Sequence, residues 1–342
     1  MKILIVKLSA FGDIIHALPA LDTLLARPQV REVHWLVDAR YRFVCDLFPK
    51  HVIIHEVALK GDQPIRSAWR TIRQLKRHQF DAILDLQGLI KSAILARAVG
   101  QPVYGIDRSQ LREKASALLI QPTPFHAEER HVVQQQMRVA AAPFHHPSEQ
   151  PIAYTPPRIN LATSRVKLDD TLLPRLQLKD TPYVILHSAG GWRTKQLPDR
   201  TWLRIAEALR QQQKTPLFTW GNAAEQQHAS TLATASGGFV LPERLNMSAL
   251  CTLFHHADAV VGADTGLLHL AAALQRPTIT FWGPSASWRS GPLNSAHDPQ
   301  GDRNWHIESN PACGPCFKRR CDHFTCMDAI DPAAIIRILH EL

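Results

Sequence analysis

Two junctions of apolar strand, small-residue turn and helix constrain this chain most. In the first, Ile3-Leu4-Ile5-Val6-Lys7-Leu8 runs into Ser9-Ala10-Phe11-Gly12-Asp13, and a helix is expected over residues 14–25. In the second, Ala259-Val260-Val261 leads through Gly262-Ala263-Asp264-Thr265-Gly266 into a helix expected over residues 267–274. A strand that turns directly into a helix aims the helix's unpaired amides at the turn, where they and the helix dipole favour an anion. Asp13 and Asp264 also read plausibly as helix caps, since Asp caps well. The dinucleotide fingerprint of three spaced glycines is missing from both turns, which removes the usual support for a nicotinamide or flavin enzyme.

Further apolar strands alternate with helical segments: residues 32–37, 82–86, 183–187, 216–220 and 278–282. That alternation predicts an α/β protein with doubly wound parallel sheets. The length of 342 residues, 45% of them hydrophobic and 20% charged, fits two globular domains. Seven of the 24 prolines fall between residues 143 and 182, which puts a domain connection near residue 160. The expected organisation is therefore 1–160, 161–326 and a terminal helix within 327–342, opened by Asp331-Pro332 and carrying Ile335, Ile338 and Leu339. No stretch is long and apolar enough to span a bilayer, and the interrupted start is not expected to be a signal peptide, so a cytoplasmic location is expected. A net charge of +9 implies an acidic partner: nucleic acid, anionic membrane or phosphorylated substrate.

Three other features carry chemistry. Arg66, Arg70, Arg73 and Arg77 fall on one helical face and Ile65, Trp69, Ile72 and Leu75 on another, a pattern that serves either a solvated surface or a phosphate-bearing or membrane partner. Between the strand ending at His187 and the helix beginning near Pro198, Lys195 lies in a small-residue loop and is expected to neutralise a leaving diphosphate, unless it is merely solvated. No Asp-x-Asp pair occurs, which disfavours delivery of a nucleotide sugar on a divalent ion. Cys313, Cys316, Cys321 and Cys326 lie within fourteen residues, a spacing open to a structural zinc or iron site, to disulfides or to a thiol-rich loop. With its basic Lys318-Arg319-Arg320 run, the cluster also admits a nucleic-acid-binding knuckle, but no recognition helix accompanies it and no nucleic-acid partner is expected.

The runs Phe11–Pro19, Gln87-Gly88-Leu89-Ile90-Lys91-Ser92-Ala93, Lys195–Pro198 and Asp264–Leu270 together resemble the lipopolysaccharide heptosyltransferases of glycosyltransferase family 9. The resemblance covers nearly the whole chain, and the heptosyltransferase I branch is nearest. It implies a GT-B fold, in which two Rossmann-like domains face a central cleft. It also implies an inverting transfer of heptose from ADP-heptose to Kdo-lipid A without a required metal cofactor, at the inner face of the inner membrane by peripheral contact. By this resemblance Asp13 is the general base and Lys195 stabilises departing ADP. Thr194, Trp220, Gly221, Glu225, Met247, Asp264, Thr265, Gly266 and His269 would hold the donor. Ser9, Lys60, Arg66, Arg70 and Arg112 would meet the acceptor. The four-cysteine cluster is more like the tails of other family members, which leaves a heptosylated core or a surface protein as alternative acceptors.

Overall fold

The computed structural model describes residues 1–144, 150–294 and 303–342, so part of the proline-rich stretch lies outside the described residues. The chain divides into two compact units, Met1–Arg165 and Val166–Leu342. The division falls just after Arg165 because that side chain is tied to the first unit. Its guanidinium donates to the carbonyls of Pro49 at 3.0 Å and Lys50 at 2.9 Å, and also to that of Val52. An isolated antiparallel bridge between Pro49 and Ser164 anchors the same segment.

Among the described residues, the first unit contains six strands, β1 (Lys2–Val6), β2 (Glu32–Asp38), β3 (Ile53–Val57), β4 (Ala82–Asp85), β5 (Val103–Gly105) and β6 (Gln121–Pro122), with five α-helices, α1 (Phe11–Ile15), α2 (Leu18–Leu25), α3 (Pro64–Lys76), α4 (Ile90–Val99) and α5 (Val132–Ala141). The strands are parallel, in the order β3-β2-β1-β4-β5-β6. The single helix expected over residues 14–25 is two: α1 ends at Ile15, and α2 restarts at Leu18 with Pro19 in its first turn. Proline lacks the N–H that a continuous helix would need there, whereas a first turn tolerates it.

The second unit holds α6 (Leu172–Arg175), β7 (Tyr183–His187), α7 (Asp199–Gln211), β8 (Thr215–Phe218), α8 (Ala223–Ser236), β9 (Phe239–Val240), α9 (Met247–His255), β10 (Ala259–Ala263), α10 (Gly266–Ala273), β11 (Thr278–Trp282), α11 (Ser287–Ser290), β12 (Asn304–Glu308) and α12 (Pro332–Glu341). Its parallel sheet runs β9-β8-β7-β10-β11-β12, which is the first sheet's order repeated strand for strand. Both are the doubly wound Rossmann order, so each unit is Rossmann-like.

Each unit buries its own core. Leu4, Val6, Leu8, Leu36, Val57 and Ile83 belong to the first. In the second, Trp202 meets Phe281 edge to face at 5.7 Å between ring centroids, and Ile335 and Leu339 of α12 are fully buried beside them. The terminal helix is thus part of the second unit's core. Gly262 lets α10 approach the sheet closely, since a Cβ there would stand 2.6 Å from Leu268 Cδ2 and 3.2 Å from the His187 carbonyl.

Strand order decides which loops meet. In a doubly wound sheet the chain leaves the two central strands in opposite directions, opening a crevice at their carboxyl ends. The central pairs are β1 with β4 and β7 with β10. The loop of Asp13 therefore lies beside the loop of Gln87, and the loop of Lys195 beside Asp264. The two junctions that looked equivalent in sequence differ in place: one follows the first strand of its sheet, the other the fourth.

Candidate active site

Asp264 follows β10 directly, and its carboxylate is bound from two sides. Lys195 Nζ lies 2.6 Å from Oδ2 and also donates to the Asp264 carbonyl at 2.9 Å, while His269 Nε2 donates to Oδ1 at 3.1 Å. All three side chains are largely buried. Burial pushes the Asp264 pKa up, but the His269 hydrogen bond and the Lys195 charge outweigh it and hold the carboxyl well below the usual range. The helix cap is not Asp264. Thr265 occupies the cap position of α10 without a side-chain cap hydrogen bond, and its buried Oγ1 has no partner among the described residues. Asp264 is unavailable for capping because both oxygens are engaged by Lys195 and His269.

Lys195 closes a 3-10 turn, Arg193–Lys195, in the loop after β7. Trp192 supports it: the Lys195 ammonium stands 4.4 Å and the Arg319 guanidinium 5.2 Å from the centroid of that ring. Thr194 Oγ1 donates to the Lys318 carbonyl at 2.8 Å, pinning the turn to the cysteine-rich segment. Trp220 and Gly221 leave the carboxyl end of β8; Trp220 Nε1 donates to the Leu241 carbonyl at 2.7 Å, and the Gly221 amide donates to Glu225 Oε2 at 2.8 Å. Met247 is buried in the first turn of α9. The residues expected to hold a donor thus share the carboxyl edge of one sheet.

In the first unit Asp13 is exposed and sits in the third position of α1, not at its cap, which is Ala10. Its Oδ2 accepts the Ala10 amide at 3.1 Å. The loop that carries it is held from β4: Gln87 Oε1 accepts the amides of Leu8 at 2.9 Å and Ser9 at 3.0 Å. Asp85 anchors Gln87 in turn, its carboxylate accepting from the Gln87 amide at 3.0 Å, the Gly88 amide at 3.3 Å and Ser92 Oγ at 3.0 Å. Burial pushes the Asp85 pKa up to about 6 despite these donors. The positioning work of Gln87 was missed in the sequence reading. The signal was present, because Asp85 is an acid at a strand end before a glycine turn, the same pattern that singled out Asp264.

Ser9, Lys60 and Arg112 lie in loops after β1, β3 and β5, at the carboxyl edge of the first sheet, and Arg66 and Arg70 lie on α3. The inner face of that helix differs from expectation. Ile65 and Trp69 are 79% and 63% exposed, whereas Thr71 and Leu75 are buried. Edge strand β3 presents unpaired backbone groups that α3 satisfies with hydroxyls: Thr71 Oγ1 donates to the Glu56 carbonyl at 3.0 Å, and Ser67 Oγ accepts the Ala58 amide at 2.9 Å just past the strand. Pairing those groups turns Ser67, Thr71 and Leu75 inward and leaves Trp69 outside, under the Arg73 guanidinium at 5.8 Å.

The four cysteines are free, Cys313 and Cys321 exposed and Cys316 and Cys326 half-buried. They do not form a closed ligand set. Among the described residues, the one group of three or more His, Cys, Asp or Glu side chains with mutually close ligand atoms is His34, His55 and His78.

Both sheets have the Rossmann order, and in the second an ion-paired Lys195 and Asp264 lie at a helix start. Solved structures share the fold: Escherichia coli heptosyltransferase WaaC with ADP-2-deoxy-2-fluoro heptose aligns at TM-score 0.73 and 24% identity, covering 100% of this chain and 99% of that one. E. coli ADP-heptose LPS heptosyltransferase II aligns at TM-score 0.75 and 18% identity, covering 100% and 98%. Lipopolysaccharide heptosyltransferase 1 of Pseudomonas aeruginosa is 30% identical over 94% of this chain and 88% of its own. The model of glycosyltransferase family 9 (heptosyltransferase) matches residues 68–325. The chain belongs to glycosyltransferase family 9 and is a heptosyltransferase-type enzyme.

Proposed function

We propose that this enzyme moves L-glycero-D-manno-heptose from ADP-heptose to a Kdo hydroxyl of Kdo-lipid A, with inversion at the anomeric carbon. The observation that carries this reading is the Lys195–Asp264–His269 cluster at the start of α10. An ammonium has three N–H donors, and Asp264 takes two of those on Lys195, so one remains for a phosphate oxygen. The α10 amides and the unpartnered Thr265 hydroxyl add donors on the same side. The name of the P. aeruginosa relative and the ADP-sugar analogue bound to WaaC support the same donor and acceptor class.

In this mechanism the acceptor oxygen attacks the anomeric carbon and its proton passes to Asp13. The bond from that carbon to the β-phosphate oxygen breaks, and the electron pair leaves on ADP. Lys195 and the α10 amides receive the developing charge, so a divalent ion has no necessary part. Thr194, Gly266 and His269 line the diphosphate, and Trp220, Gly221, Glu225 and Met247 the adenosine. Lys60, Arg66, Arg70 and Arg112, with Ser9, meet the phosphates and carboxylates of the acceptor. The exposed Ile65 and Trp69 among arginines suit peripheral contact with the anionic inner leaflet from the cytoplasm. A structural zinc or iron at Cys313, Cys316, Cys321 and Cys326 belongs to this reading only if the ion itself draws the loop closed.

Mass spectrometry of Kdo2-lipid A incubated with enzyme and ADP-heptose tests the reaction. A heptose added to that acceptor is expected; addition only to an already heptosylated core or to a protein moves the acceptor elsewhere. Asp13→Asn should retain ADP-heptose binding by calorimetry while turnover drops about 10²- to 10⁴-fold. Near-normal turnover would remove Asp13 from the chemistry.

A further inference from the structure

We infer that His34, His55 and His78 form a divalent transition-metal site in the first unit, where β2 and β3 meet the end of α3. His34 is the third residue of β2, His55 the third of β3, and His78 follows the end of α3. By register His34 stands level with Leu4 and His55, through Leu36, with Val6, so both lie within the strands and not in the carboxyl-edge loops that carry Ser9 and Asp13. The ligand nitrogens of the three rings all lie within 4.8 Å of one another. The shortest separation, His34 Nδ1 to His55 Nε2, is 2.8 Å. Tetrahedral zinc with nitrogen at 2.0–2.1 Å needs ligand nitrogens about 3.4 Å apart, a spacing that small ring rotations here would reach.

The outer contacts are those a ligating imidazole requires. Glu32 Oε2 accepts from His34 Nε2 at 3.2 Å, which fixes the tautomer and turns the His34 Nδ1 lone pair toward the other two rings. The His78 ring meets His34 and His55 edge-on, at centroid distances of 4.6 and 5.2 Å, and Phe80 covers His34 at 4.9 Å. The carboxyl end of α3 adds partial negative charge beside the cluster. His34 and His55 are buried, while Glu32 and His78 reach the surface and give an ion a way in. With His34 Nε2 donating to Glu32, His34 Nδ1 accepts a hydrogen bond from His55 Nε2, which an ion held by both nitrogens would replace. An all-imidazole set suits zinc, copper or nickel over magnesium or calcium. Three protein ligands leave the fourth position to water.

Zinc titration of the full chain tests the site, with Cys313, Cys316, Cys321 and Cys326 changed to serine so that thiols do not compete. The chelator-stripped protein should take up one equivalent of zinc with a rise in thermal midpoint, and X-ray absorption should report nitrogen and oxygen ligands without sulfur. His78→Gln should weaken zinc binding at least tenfold and Glu32→Gln about tenfold, both keeping the parent's circular dichroism. His78 is only partly buried, so its replacement spares the core even where His34 or His55 variants fail to fold. Heptose transfer by His78→Gln should equal the parent's, because none of the three imidazoles is among the residues placed in the transfer chemistry. Absence of zinc uptake at micromolar metal, or uptake unchanged in His78→Gln, would overturn the assignment.

Discussion

A single ion pair organises the carboxyl edge of the second sheet. Lys195 and Asp264 come from loops 69 residues apart and meet at 2.6 Å, with His269 completing the carboxylate's shell. Removing Lys195 therefore has two consequences that can be separated. Lys195→Ala should lower turnover about 10²- to 10³-fold, as loss of a group facing developing charge does elsewhere. It should also cost about 3 kcal/mol of stability, because a buried carboxylate loses its charged partner. Combining Lys195→Met with Asp264→Asn should restore much of the urea midpoint but none of the turnover. If single and double variants unfold alike, the pair has no structural share.

At the scale of the element, α3 shows how hydrogen bonding overrides hydrophobic spacing. Its Ser67 and Thr71 hydroxyls serve the backbone of β3 and its exit, so Trp69 and Ile65 face outward among Arg66, Arg70 and Arg73. An exposed tryptophan in a basic stripe has the chemistry of an interface with anionic headgroups or with the acceptor. Arg66→Glu with Arg70→Glu should raise the acceptor KM and leave the ADP-heptose KM unchanged, most clearly at low salt. Identical constants for both substrates would make the stripe a solvated face. The cysteine segment has no regular element, and its four thiols are free.

Across the whole molecule, each sheet buries a titratable group that resists its charged form. Burial pushes His187 down to about 4, so between pH 6.5 and 4 the unfolded chain takes a proton that the folded one refuses, and stability is lost as pH falls. Burial pushes Asp85 up to about 6, so its contribution is complete below 3.8 and is lost as pH rises through 6. Relative to the parent, His187→Gln should gain stability on acidification and Asp85→Asn on alkalinisation, read from urea midpoints across pH 4 to 7. Parallel curves would show that neither group's burial matters to folding. If the proposed mechanism holds, in which Lys195 and helix amides carry the leaving charge, heptose transfer should persist in excess EDTA, even where elemental analysis of chelator-free protein finds metal. Loss of transfer restored by magnesium or manganese would end that account.

The local grammar of strands and turns was legible in the sequence alone. Apolar runs and small-residue turns revealed two α/β units, and Asp13, Lys195 and Asp264 stood out at strand ends, with capping and solvation as their alternative uses. What spacing alone left open was partnership. Strand order put Lys195 against Asp264, and Gln87 under the Asp13 loop, because only adjacent central strands bring their carboxyl ends together, a relation with no trace in linear distance. The same holds for His34, His55 and His78, which no motif links. The inward face of α3 was likewise a tertiary decision, since unpaired backbone groups at a sheet edge exist only once the sheet has formed.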